Sequence, residues 1–140
     1  MSERYPLLFR FIHWWVAFTV ILNFFILEVG EVPHRYIGYI ACLLVLIRVT
    51  LRTKRTISHY NPKAKYVYYL IWLGILFQGM TGFLMGTDTF WGSSTLEGMH
   101  ELSAQIIVAL ASLHIGGVFL DAWRHKRRTW MLMISGVKEE

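Results

Sequence analysis

The segment HELSAQIIVALASLH, residues 100–114, decides the fold of this chain. It is largely apolar and has a histidine at each end, His100 and His114, 14 positions apart. In an α-helix that spacing spans about 21 Å and nearly four full turns, so both imidazoles lie on one face. A hydrocarbon core is about 30 Å thick, so this helix would place one imidazole near each membrane surface.

The composition of the whole chain is that of a membrane protein. Of its 140 residues, 55% are hydrophobic and 16% are charged, and the mean hydropathy is +0.43. A soluble domain carries about 25% charged residues. The sequence lacks the alternation of apolar and polar residues that a transmembrane β-barrel requires. Its backbone N–H and C=O groups must therefore be hydrogen-bonded within helices where the chain crosses lipid. We therefore predict an all-α, four-helix transmembrane bundle that forms one domain over residues 1–140. The predicted helices cover about 9–29, 36–52, 67–85 and 99–123.

The basic residues predict how the bundle is oriented. Every Lys and Arg except Arg35 falls near the N-terminus, around the connection between the second and third helices, or in the C-terminal tail. By the positive-inside rule, both termini are predicted to be cytoplasmic. The RHKRR run at 124–128 is read as a solvated membrane anchor in contact with lipid, and we expect no nucleic-acid binding.

This orientation sorts four histidines into two levels. His13 and His114 lie near the cytoplasmic face, and His34 and His100 lie near the outer face. A haem iron takes two axial ligands from opposite sides, and neutral imidazole serves well, so each pair predicts one haem. A packing or interfacial role stays open for any one histidine, whereas structural zinc would need four converging ligands. Cys42 is the single cysteine and no C-x-x-C-H motif is present, so covalent haem attachment is excluded and two haem b groups are expected.

Other residues receive provisional roles around these haems. Arg10 and Arg48 are candidates to pair with propionates of the inner haem, and Arg35 with those of the outer haem. Gly38 would let a porphyrin approach the backbone of the second helix. The alternatives are interfacial snorkelling for the arginines and plain helix packing for the glycine.

Two uncharged polar side chains fall inside the predicted spans. Asn23 and Gln78 are expected to hydrogen-bond towards the interior of the bundle, because lipid offers no partner to an amide.

Three of the predicted helices carry short motifs of arginine, histidine and glycine. The motifs are RFIHW at 10–14, HRYIG at 34–38 with Arg48 beyond it, and HE at 100–101 with LHIGG at 113–117. Together they resemble the bacterial cytochrome b561 family, which has the cytochrome b subunits of nickel-iron hydrogenases as relatives. The resemblance covers about residues 7–125. It implies a four-helix di-haem b cytochrome whose ligands are His13, His34, His100 and His114.

The expected function is electron transport across or within the membrane. The resemblance suggests an oxidoreductase such as a superoxide:quinone oxidoreductase, taking electrons from superoxide or a soluble periplasmic redox protein and passing them to ubiquinone. An inner quinone site would involve Trp14, Lys65 and Tyr69, with Lys65 standing where many relatives have a histidine. The alternative is an electron-relay membrane subunit of a dehydrogenase or hydrogenase complex, although the further helix of hydrogenase-type relatives is missing. A haem-free membrane scaffold is the distant alternative.

Overall fold

The computed structural model describes residues 4–51 and 62–138. It contains four long helices and one short one: α1 (Leu7–Phe25), α2 (Val32–Thr50), α3 (Ala64–Met85), α4 (Ser94–His125) and α5 (Met131–Ile134). The basic residues Arg52, Lys54 and Arg55, which contributed to the predicted orientation, lie outside the described residues.

The four long helices are each long and apolar enough to cross a membrane, which confirms the predicted fold class. Large apolar side chains cover their outer surface, as Phe18, Leu73 and Leu113 illustrate with exposures of 55%, 64% and 67%. In water such a surface would be costly, whereas lipid tails surround it at no cost. The chain is therefore a membrane protein. At 1.5 Å per residue, α4 is about 48 Å long, so it extends beyond a hydrocarbon core of about 30 Å.

The helix boundaries correct the predicted ones at the first connection. α1 ends at Phe25 instead of continuing to about residue 29, and Gly30 has a φ of +89° that turns the chain. α2 begins at Val32, earlier than the predicted residue 36, because Pro33 fits the first turn of a helix, where no backbone N–H is needed. His34 therefore lies in the first turn of α2.

The predicted start of α4 was also too late. The helix begins at Ser94 instead of about residue 99, and the hydroxyl of Ser93 caps it by accepting a hydrogen bond from the backbone N–H of Leu96. Because of this earlier start, His100 lies almost two turns inside α4.

Close packing of the backbones follows the chain order. Among the described residues, extensive contacts join α1 to α2, α2 to α3 and α3 to α4, and a smaller contact joins α1 to α5. Gly79 of α3 lies against Cys42 of α2, where a Cβ would collide with the cysteine sulfur. The small residue lets these two helices approach each other closely. The main buried cluster lies at this side of the bundle and consists of Ala41, Val45, Ile75 and Ile107.

After α4 the chain turns back over the end of the bundle. The turn begins at Lys126, in the left-handed region with a φ of +52°, and the carboxylate of Asp121 fastens it. That carboxylate accepts hydrogen bonds from the guanidinium of Arg127 at 2.9–3.1 Å and from the hydroxyl of Thr129 at 2.6 Å. Residues 131–136, here called the C-terminal clasp, then lie against the start of α1, and the backbone N–H of Tyr5 donates to the carbonyl of Gly136.

Candidate haem sites

The four candidate ligands form two pairs, as the depth argument predicted. His13 of α1 faces His114 of α4, with ring centroids 6.2 Å apart and ring planes at 58°. His34 of α2 faces His100 of α4, also with ring centroids 6.2 Å apart and with ring planes at 60°. The two pairs share α4 and lie at opposite ends of the bundle.

The spacing within each pair fits two imidazoles on one iron. Such rings have centres about 6 Å apart, because each metal–nitrogen bond is about 2 Å and each nitrogen lies about 1 Å from its ring centre. A direct hydrogen bond between the two rings would be one alternative, but none joins the rings of either pair in the described part of the chain. Across residues 4–51 and 62–138, no group of three or more His, Cys, Asp or Glu side chains could hold one metal ion. The arrangement therefore suits a cofactor that needs two protein ligands, and it does not suit a tetrahedral zinc site.

The helices that carry each pair are held apart. Neither α1 nor α2 is among the helices that pack extensively against α4 in the described part of the chain. Each histidine pair thus bridges a gap between helices whose backbones are not in close contact. A flat cofactor inserted between facing imidazoles requires such a gap.

A cavity of about 850 Å³ opens at His34 and His100, called the outer pair after their predicted depth, as His13 and His114 are called the inner pair. His34 and His100 both line it, together with Arg35, Gly38 and Gly82. Its volume lies in the range of about 300–1,000 Å³ that holds small molecules and cofactors. Of the provisional outer-site residues, Arg35 and Gly38 are thus both placed at this cavity.

Two amides brace the outer pair. Asn23 of α1 donates from Nδ2 to the carbonyl of His34 at 3.1 Å, and Gln78 of α3 donates from Nε2 to the carbonyl of His100 at 2.8 Å. The prediction that both would hydrogen-bond towards the interior of the bundle is confirmed, and their partners are the backbones of two candidate ligands. Gly38 leaves room for one of these amides, since a Cβ there would come within 3.3 Å of Nδ2 of Asn23.

The inner arginines have protein partners. Arg48 donates from Nη2 to the hydroxyl of Tyr5 at 3.0 Å, and its guanidinium lies 3.9 Å from the centroid of the Phe9 ring. Arg10 donates from Nη1 to the carbonyl of Ile134 in the C-terminal clasp at 2.6 Å, while its Nε is buried without a hydrogen-bond partner among the described residues. The clasp was not predicted from the sequence, because α5 has only four residues and shows no helical periodicity.

The candidate quinone residues lie on two separate helices. Trp14 of α1 packs edge-on against the ring of His13 at 5.3 Å between centroids, and its indole N–H donates to the carbonyl of Met133. Lys65 and Tyr69 are on α3, where the ring of Tyr69 packs against Trp72 at 5.5 Å. Within the described residues, no hydrogen bond or ring contact joins Trp14 to either α3 residue. Trp14 is thus beside the candidate ligand His13, and the other two residues lie near the start of α3.

The fold and the paired imidazoles define a class: helical membrane proteins with histidine pairs set to hold a metal-containing cofactor between helices. Comparison with known families makes this specific, because the family model described as prokaryotic cytochrome b561 matches residues 4–136. The chain belongs to this family, whose members are membrane b-type cytochromes that bind haem b and transfer electrons. No curated protein and no solved structure gave a significant match.

Proposed function

We propose that the chain holds two haem b groups and carries electrons across the bacterial cytoplasmic membrane, with both termini in the cytoplasm. His13 and His114 would bind the inner haem, and His34 and His100 the outer one. The observation that carries this proposal is the ring-centroid distance of 6.2 Å in both pairs, between helices that are not closely packed. The basic ends of the helices support the orientation.

Haem b supplies a one-electron redox couple when it is bound. The chain's part would be to present a histidine pair to each haem at two depths, with His100 and His114 about 21 Å apart along α4, and to surround the haems with apolar helix faces. Arg35 and Gly38 would contact the outer haem, and Arg10 and Arg48 would neutralise propionates of the inner haem. A haem-free scaffold receives no support, since the chain belongs to a family of cytochromes.

The electron carriers we propose are a periplasmic donor and membrane ubiquinone. As a superoxide:quinone oxidoreductase, the protein would take one electron from each of two superoxide anions, releasing O₂. Ubiquinone would accept the two electrons together with two protons. Arg35 supports an anionic donor, because it is the one cation that the predicted topology places outside and it lines the outer cavity. A soluble redox protein is the other candidate donor.

The experiment that tests the pairing removes one histidine at a time. The purified parent should contain about two haems per chain by pyridine haemochrome analysis, on the two-ligand logic of low-spin haem. His13→Ala and His114→Ala should each remove the same haem component from the reduced-minus-oxidised spectrum. His34→Ala and His100→Ala should each remove the other component. His125→Ala is the matched control, because His125 is exposed and its one bonding partner within residues 4–51 and 62–138 is Asp121.

Two results would reject the pairing. A parent protein with one haem or none per chain would contradict two sites. Loss of one identical component in His100→Ala and His114→Ala would contradict two levels, because those residues belong to different pairs and lie about 21 Å apart along α4.

A further inference from the structure

One buried hydroxyl lies against a candidate haem ligand. Thr81 of α3 is 1% exposed, and its Oγ1 is 2.8 Å from Nδ1 of His100. The apolar pattern of α3 gives this threonine no special role. Buried threonines commonly form hydrogen bonds only within their own helix. Its one hydrogen bond to another helix, to His100 of α4, therefore needs an explanation.

The direction of this hydrogen bond follows from the other partners of the hydroxyl. Oγ1 of Thr81 lies 3.0 Å from the carbonyl of Phe77 and 3.1 Å from that of Gln78, and both oxygens can only accept. The single hydroxyl hydrogen is therefore donated along α3. Oγ1 is left as the acceptor of a hydrogen on Nδ1 of His100. This assigns the Nδ1–H tautomer to His100 and leaves the lone pair of Nε2 free to bind a metal.

The facing histidine has no such support. Nδ1 of His34 is buried and has no hydrogen-bond partner among the described residues. The backbones of the two histidines are nevertheless held alike, since an amide side chain donates to the carbonyl of each. The two candidate ligands thus differ in the hydrogen bonding of Nδ1 in their imidazole rings, and not in that of their backbone carbonyls.

We propose that Thr81 is a positioning residue that fixes the tautomer and ring orientation of His100 and tunes the outer haem. A hydrogen bond accepted from the distal N–H makes a ligating imidazole a stronger electron donor. Stronger donation stabilises the ferric state, so Thr81 holds the midpoint potential of the outer haem below the value it would otherwise have. This inference rests on the proposed role of His100 as a haem ligand.

The test compares three variants of the purified haem-loaded protein. Thr81→Val keeps the shape but removes the acceptor, and Thr81→Ser keeps the hydroxyl. Thr19→Val is the matched control: Thr19 is 2% exposed, borders the same cavity and, among the described residues, bonds only to the carbonyl of Val16 in its own helix. Each variant is examined by haem quantification, redox titration and the low-spin ferric EPR spectrum.

In Thr81→Val we expect one haem to shift to a more positive midpoint and to change its EPR signal, with the other haem unchanged. Thr81→Ser should restore the parental values, and Thr19→Val should shift the midpoint less than Thr81→Val does. If Thr81→Val loses the outer haem, retention of that haem in Thr81→Ser supports the role, and its loss there too overturns it.

Unchanged midpoints and EPR signals in a fully loaded Thr81→Val protein would also overturn the inference, as would an equal shift in Thr19→Val. His100→Ala separates this failure from failure of the proposed function. If His100→Ala retains both haems, the outer site itself is wrong; if it loses one haem, only the role of Thr81 has failed.

Discussion

At the scale of single residues, Arg48 is held by aromatic side chains instead of a carboxylate. Its guanidinium lies 3.9 Å from the centroid of Phe9 and 5.2 Å from that of Trp72, and it donates to the hydroxyl of Tyr5. In the described part of the chain, the ion pairs involve Asp121 and none reaches Arg48. Cation–π contacts leave the charge unneutralised. Arg48 therefore still has a full positive charge to offer to an anionic propionate.

We expect Arg48→Leu to lower the midpoint potential of the inner haem and to weaken its retention. Loss of a nearby cation favours the ferric state, which carries one more positive charge. A unit charge about 10 Å from the iron, at an effective dielectric constant of about 20, is worth about 1.7 kcal/mol, or about 70 mV for one electron. Redox titration of the purified variant measures the shift. The outer haem should remain nearly unchanged.

Tyr5→Phe is the control for Arg48→Leu, because it removes the hydrogen bond at Nη2 and leaves the cation in place. Its midpoints should stay close to those of the parent. Unchanged midpoints for both haems in Arg48→Leu itself would reject the propionate role and leave Arg48 as a packing residue of the aromatic cluster.

At the scale of elements, the C-terminal clasp connects the two ends of the chain. Leu132 of α5 is 4% exposed and packs with Tyr5 and Phe9, which are 4% and 5% exposed. Backbone carbonyls of the clasp accept hydrogen bonds from the side chains of Arg10 and Trp14. The clasp is thereby hydrogen-bonded to α1 on both sides of His13, through Arg10 three residues before it and Trp14 one residue after it.

Leu132→Ala should destabilise the protein by about 2–3 kcal/mol, because truncating a buried leucine leaves a cavity and loses its transfer free energy. Thermal unfolding in detergent, followed by the Soret band, measures the effect. Leu120→Ala is the matched control, since Leu120 of α4 is 49% exposed on the lipid-facing side and should change stability little. Equal stability of the two variants would show that the clasp adds nothing to the fold.

At the scale of the whole molecule, hydropathy and the placement of basic residues predicted the bundle, because a membrane imposes helix length and orientation on any chain that crosses it. The pairing of His13 with His114 and of His34 with His100 followed from depth alone. The C-terminal clasp could not be predicted in this way, because its contacts join residues more than 100 positions apart. The role of Thr81 depends on how α3 is rotated towards α4, which no periodic pattern of α3 specifies.

The last prediction concerns the exchange of electrons with quinone at the end of the bundle that is predicted to be cytoplasmic. Trp14 is 51% exposed and its ring contacts that of His13, so it offers an accessible apolar wall beside the inner pair. In a His34→Ala protein, which should keep only the inner haem, rapid mixing of the oxidised form with a short-chain quinol should reduce that haem. Trp14→Ala in the same background should slow the reduction about tenfold, equivalent to about 1.4 kcal/mol of barrier.

Trp91→Ala is the control for this experiment, because Trp91 is 79% exposed and lies at the outer cavity. Its rate should match that of the unsubstituted background if quinol reacts at the inner end. Slower reduction in Trp91→Ala but not in Trp14→Ala would move the quinone site to the outer end. Reduction that occurs only through a co-purifying protein, with no reactivity towards quinol, would instead identify the chain as an electron-relay subunit of a larger complex. These outcomes differ because a mobile lipid-soluble carrier needs only an accessible helix end, whereas a relay subunit needs a bound partner.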